Sequence, residues 1–130
     1  VKYSIIQKNL ITKIKQENVE LYEVVTNRYE FSTKEGILNF YYFSSSMAIN
    51  WAYLKGYKNV ILCGVDLVDN LHFDNEAHKP DLSNAVLSDS RKYIEDICTK
   101  YINIFKLNPD SVLKLPKIQI EKLINYESCF

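Results

Sequence analysis

Apolar positions along this chain gather into short runs divided by polar turns, and the clearest pattern spans 44–67, SSSMAINWAYLKGYKNVILCGVDL. Three serines open it, and the hydroxyl of Ser44, Ser45 or Ser46 is suited to accept from the orphan amides of a helix's first turn. Met47, Trp51 and Leu54 recur at helical spacing, while Ala48 and Ala52 permit close packing. Gly56 stands where a C-terminal glycine stops a helix. Residues 60–65 then form the unbroken apolar run of a strand covered on both faces, ended by Gly64 and Asp66. Helix, glycine, strand and acid in that order make the helix-to-strand half of a Rossmann-like unit, which binds ligands at the carboxyl ends of its strands.

Beyond Asp66 the pattern turns polar over 69–87, with Pro80 as punctuation and both histidines, His72 and His78. Compact domains usually keep a connection of that length for function. A second helix is predicted from Ser88 or Ser90, with Tyr93, Ile94, Ile97, Cys98 and Tyr101 as its apolar stripe. Residues 103–107 fit the next parallel strand, and Asn108, Pro109, Asp110 and Ser111 make a turn at its carboxyl end. Strand, loop, helix, strand then read as a right-handed parallel crossover. Upstream, 3–6 reads as a short strand or the lead into a helix. Residues 9–16 fit an amphipathic helix, and 19–26 and 38–43 fit strands. The tail over 117–126 has Ile118, Leu123 and Ile124 near helical spacing. The expected fold is α/β and Rossmann-like: a mainly parallel sheet flanked by helices in three layers, forming a single domain over 1–130.

Composition changes this picture in a few respects. A chain 47% hydrophobic and 25% charged is ordinary for a globular protein. Its net charge of zero argues against a broad nucleic-acid footprint, although local clusters can still bind phosphate. Glycine and proline number three each, and neither GxGxxG nor GxxxxGK[ST] occurs. Cys63, in an apolar strand, and Cys98, on a helix's inner face, read with Cys129 as free thiols of a reducing cytoplasm. No stretch approaches the ~18 apolar residues of a membrane span. His72 and His78 stand near Asp66, Asp69, Asp74 and Glu76, but no HxH or HxxxH spacing supports a metal. A GxSxG elbow is absent.

The string GYKNVILCGVDL, after a serine-led helix and before a histidine-bearing loop, resembles the bacterial sialyltransferases of the Campylobacter type. It is similar too to the related domain of motility accessory factors. KYINIFKLNPDSVL has the form of the strand and Asn-Ser turn that follow there, so the resemblance covers roughly 38–115. It implies inverting transfer of a sialic or related ulosonic acid from a CMP-sugar to a glycan hydroxyl, without a metal or other cofactor. Ser44, Ser45 and Ser46 match the donor-contacting segment, as do Asn108 and Ser111 at the nucleotide pocket. His78 matches the general base that takes the acceptor's proton, and an imidazole titrating near about 6.5 suits that task. Asp66 would orient a substrate.

The chain departs from that family in two places. Tyrosines that hold the leaving phosphate are replaced here by Leu67, Val68 and Asp69, so Lys79 or His72 would have to serve instead. The family's opening strand and Gly-Asn phosphate loop have no counterpart in 1–43. With Val1 rather than Met at the start, the expectation is the C-terminal part of a longer glycosyltransferase, or a relative without donor binding.

The expected location is cytoplasmic, peripheral to the inner membrane, and a fragment of this kind can self-associate through an exposed sheet edge. Plainer readings stand beside these. His78 can be an exposed loop residue, Asp66 a cap for backbone amides, the serines a helix cap, and Tyr41, Tyr42 and Phe43 core rather than a base-stacking platform. The alternatives for the whole are a non-catalytic nucleotide- or partner-binding module and a pterin pyrophosphokinase-related domain. The latter requires Mg²⁺-dependent ATP binding.

Overall fold

Val19–Thr26, which ends on the β-branched run Val24, Val25 and Thr26, forms the central strand of the larger sheet. In this computed structural model, which describes residues 4–7, 19–68, 84–119 and 121–122, the chain order begins with β1 (Ser4–Gln7), β2 (Val19–Thr26) and β3 (Ile37–Phe40). All three are parallel, with Ile6 beside Leu21 and Val24 beside Leu38. Helix α1 (Ser44–Leu54) leads to β4 (Asn59–Leu62), and α2 (Asn84–Lys92) to β5 (Asn103–Lys106). β4 and β5 pair in parallel, Asn59 opposite Asn103 and Leu62 opposite Lys106. The fold is therefore mixed α/β, with every strand pair among the described residues parallel. β3 and β4 share no ladder, so the described strands form a three-stranded and a two-stranded sheet.

The glycine stop of α1 is built as its sequence position requires. Gly56 has φ +84°, a left-handed conformation that costs a side-chain-bearing residue more. The Gly56 amide donates to Tyr53 O at 2.9 Å and the Tyr57 amide to Ala52 O at 3.1 Å, the paired bonds of a Schellman motif. The other end differs from expectation. Phe43 is the N-cap residue and no side chain caps the helix. Ser46 accepts from the Tyr41 amide at 2.9 Å and donates to Phe43 O at 2.7 Å, so its hydroxyl is spent on the turn preceding the helix.

The buried face of α1 also differs: Ser46, Ile49 and Asn50 point inward, while Met47, Trp51 and Leu54 are half-buried. Backbone groups of β3 and of the loop before it need partners, which Asn50 supplies, and Ser46 supplies those of the turn after it. Trp51 instead turns its indole N–H to Glu20 of β2 at 3.3 Å, beside Tyr22 and Lys55. The hydrogen bond from Lys55, foremost, holds the Glu20 carboxyl below its ordinary range.

α2 starts at Asn84, ahead of Ser88 and Ser90, and Ser90 donates to Val86 O at 2.8 Å from inside the helix. It continues into a π-helical turn over Tyr93–Ile97 and a tight turn over Cys98–Lys100. This change of winding buries Tyr93, Ile94 and Cys98 together but leaves Tyr101 42% exposed, stacked on Phe31 at 4.4 Å. Cys63, expected inside the sheet, is exposed, because β4 stops at Leu62 and Gly64 (φ +68°) turns the chain away. Cys129, residues 9–16 and half of the predicted tail helix lie outside the described residues.

Tyr41, Ile49, Leu62, Tyr93, Ile94, Cys98, Ile102, Ile104, Leu113 and Leu115 form one core that joins the end of β3 to the β4–β5 pair. Each large side chain buried there contributes about 1.5–3 kcal/mol. Burial also pushes the Cys98 thiol from 9.0 up to about 12 and the Tyr93 phenol far above its usual value. Both groups are raised in the folded state, so the stability they supply is complete below pH 9.0 and is lost as the pH climbs toward about 12. The urea midpoint is accordingly expected to fall between about pH 8 and about pH 10.5. An unchanged midpoint over that interval would contradict the buried, neutral pair. No helix among the described residues is long and apolar enough to cross a membrane.

Candidate functional site

In-register pairing of β4 with β5 brings their carboxyl ends to one edge, with Leu62 beside Lys106. The chain leaves β4 through Cys63, Gly64 and Val65 to Asp66 and Leu67. Leu67 has φ +53°, and its carbonyl accepts from the Arg91 guanidinium of α2. Between the two, Asp66 keeps one carboxylate oxygen, Oδ1, shut from solvent and without a hydrogen-bond partner. A buried acceptor left unmet costs about 1–3 kcal/mol, and more when it is charged. Strain and unmet valence therefore coincide at this strand end, which is where the sequence placed the acid.

The carboxyl end of β3 has the same character. Tyr42 has φ +60°, and the Phe43 amide donates to Tyr41 O at 2.8 Å across it, a γ-turn of the rarer hand. Immediately after, Ser45 Oγ is buried and unpartnered, while Ser44 is exposed and Ser46 is committed to the turn. The structure thus separates three serines that the sequence left equivalent. Tyr41 and Tyr93 stack at 4.6 Å, with Tyr29 and Tyr42 edge-on at 5.4 and 4.8 Å from Tyr41. Desolvation raises the Tyr29 and Tyr41 phenols as it does Tyr93. Tyr41 is core and Tyr42 half-buried against it, so this aromatic run packs.

After β5 the expected turn forms. Asn108 Oδ1 accepts from the Asp110 amide at 3.0 Å, and Ser111 Oγ from the Leu113 amide at 3.3 Å. Those two acceptors serve the turn itself. Lys106 was missed by the sequence reading. Only 8% exposed, it sends its ammonium to Ser111 O at 2.6 Å and Leu113 O at 2.7 Å. The signal was available: in a strand Lys106 shares a face with Ile104, which is core. An open groove of about 720 Å³ borders this turn, lined by Leu107, Pro109, Lys117, Ile118, Gln119 and Glu121.

The structure therefore gathers Asp66 with Arg91 and Leu67 at the β4 end, Ser45 at the β3 end and Asn108 with Ser111 at the β5 end. His78, His72, Asp69 and Lys79 lie outside the described residues. Among the described residues no group of three or more His, Cys, Asp or Glu side chains is placed to hold a metal ion. Compared with family models, with curated proteins and with solved structures, the chain matches none of them.

Proposed function

We propose that this chain is a glycosyltransferase domain that transfers a sialic or related ulosonic acid from a CMP-sugar to a glycan hydroxyl with inversion. The observation that carries the reading is the Asp66 carboxylate oxygen, buried and unpartnered at the carboxyl end of a parallel strand pair. Ligands of parallel α/β sheets sit at such ends, and a substrate hydroxyl would satisfy that oxygen. Asp66 orients the substrate, and His78 takes the proton from the attacking hydroxyl. Ser44 and Ser45, with Asn108 and Ser111, border the donor, while Ser46 shapes the turn that presents them. In this reading the two parallel sheets belong to one Rossmann-like, three-layer arrangement in a cytoplasmic protein at the membrane surface.

Calorimetry with CMP, AMP, UMP and GMP, without added metal, tests the proposal. CMP is expected to bind in preference to the other three. Binding that does not distinguish the bases would count against a CMP-sugar donor, and ATP binding that requires Mg²⁺ would favour the pterin pyrophosphokinase-related alternative. CMP binding with no transfer to any acceptor would leave a non-catalytic module.

A further inference from the structure

Arg91 holds a position that the proposed chemistry has not yet used. It lies in the last turn of α2 and is half-buried, and among the described residues its guanidinium meets only the carbonyl of Leu67. A guanidinium carries several N–H donors in a planar fork suited to phosphate or carboxylate. Among the described residues, most of that fork is unmet. Burying a cation part-way is costly unless something compensates it, and a carboxylate, that of Asp66, stands one residue from Leu67 in the chain.

Yet Asp66 and Arg91 form no ion pair, and Asp66 Oδ1 remains without a partner. Two opposite charges that would neutralise one another form no pair beyond β4, and each has unmet valence among the described residues. The backbone that separates them is itself constrained, Leu67 being left-handed at φ +53° and its carbonyl directed to Arg91. A ligand with an anionic group and a hydroxyl satisfies both: the anion against Arg91, the hydroxyl against Asp66.

We infer that Arg91 is the anion-anchoring residue of this site and takes a phosphate of the ligand on the free edge of its guanidinium. The inference rests on the nucleotide-sugar reading only for the identity of the molecule that brings the phosphate. Arg91 is a positioning and charge-stabilising group here, with no proton to transfer.

Binding of CMP and of inorganic pyrophosphate to the parent chain, Arg91→Gln and Arg91→Lys decides it. Gln keeps a donor for Leu67 O while removing the charge, and Lys keeps the charge without the fork. Matched urea curves establish that each variant folds. Both probes are expected to bind Arg91→Gln about 10- to 100-fold more weakly, the usual range for losing charge-assisted hydrogen bonds, with Arg91→Lys between. Undiminished CMP binding in Arg91→Gln would overturn the inference and leave the transferase reading intact. Arg91-dependent pyrophosphate binding without a preference for CMP would do the opposite. If neither probe binds the parent chain, both fall. Should Arg91→Gln not fold, Arg91→Lys decides alone: affinity equal to the parent's for both probes overturns an anchoring fork, and a loss supports it.

Discussion

Asn50→Ala is expected to lower stability by about 3 kcal/mol, because one buried amide serves three backbone groups at once. Asn50 is 0% exposed. Its Oδ1 accepts from the Asn39 amide at 3.0 Å and the Ser32 amide at 3.2 Å, and its Nδ2 donates to Ser32 O at 2.8 Å. Those bonds tie α1 to β3 and to the loop before it. Asn39 continues the network: its Nδ2 lies 3.0 Å from Arg28 O, 2.6 Å from Glu30 O and 2.9 Å from Tyr93 Oη.

Alanine removes the donor and acceptor but leaves the backbone groups where water reaches them poorly, so desolvation adds to the lost bonds. With a urea slope of about 1–3 kcal/mol/M, the midpoint should drop by about 1–3 M. Asn50→Asp tests the division of labour. It retains two acceptor bonds, loses the donor to Ser32 O and places a carboxylate against that carbonyl. Its stability should therefore improve as the pH falls and the carboxyl becomes neutral. An Asn50→Ala midpoint within about 0.3 M of the parent would show that the network contributes little.

His78→Ala is expected to reduce sugar transfer by about 10²–10⁴-fold while CMP binding stays unchanged. The split follows from the division of the reaction. A glycan hydroxyl is a poor nucleophile until its proton is taken, and a base held at it acts in the transition state rather than on the donor in the ground state. A loss confined to turnover therefore separates a base from a residue that merely lines the pocket, which would weaken CMP binding as well. Equal transfer by His78→Ala and the parent would remove His78 from the mechanism, and the fold of the variant is checked by its urea curve.

Local pattern made much of this architecture legible. The glycine stop at Gly56, β2 at the bounds read for it, the 103–107 strand and the Asn108 turn all depend on short-range chemistry: a left-handed residue, a β-branched run, an Asx side chain. Asp66 follows β4 rather than closing it: the apolar run over 60–65 predicts pairing up to the acid, but β4 stops at Leu62.

Other features were not. The inward face of α1 was read from Met47, Trp51 and Leu54, and the structure turns Ser46, Ile49 and Asn50 inward instead. Hydrophobicity ranks side chains one by one, whereas a buried helix face is also chosen by which backbone groups opposite it need partners. Ser90 and Lys106 follow the same rule, each buried where a carbonyl accepts from it. The exposure of Cys63 depends on β4 ending at Leu62, which pairing with β5 decides.

By itself the sequence determined the order of strands and helices from β2 to β5 and the parallel β4–β5 pair. Spacing and turn chemistry act within a few residues and survive any change of surroundings. Tertiary structure alone decided which polar side chains are spent on the backbone, as Ser46, Asn50, Ser111 and Lys106 are, and which keep unmet valence among the described residues, as Ser45, Asp66 and Arg91 do. That distinction is set by partners far apart in the chain, and it separates the groups that hold the fold from those free to meet a ligand.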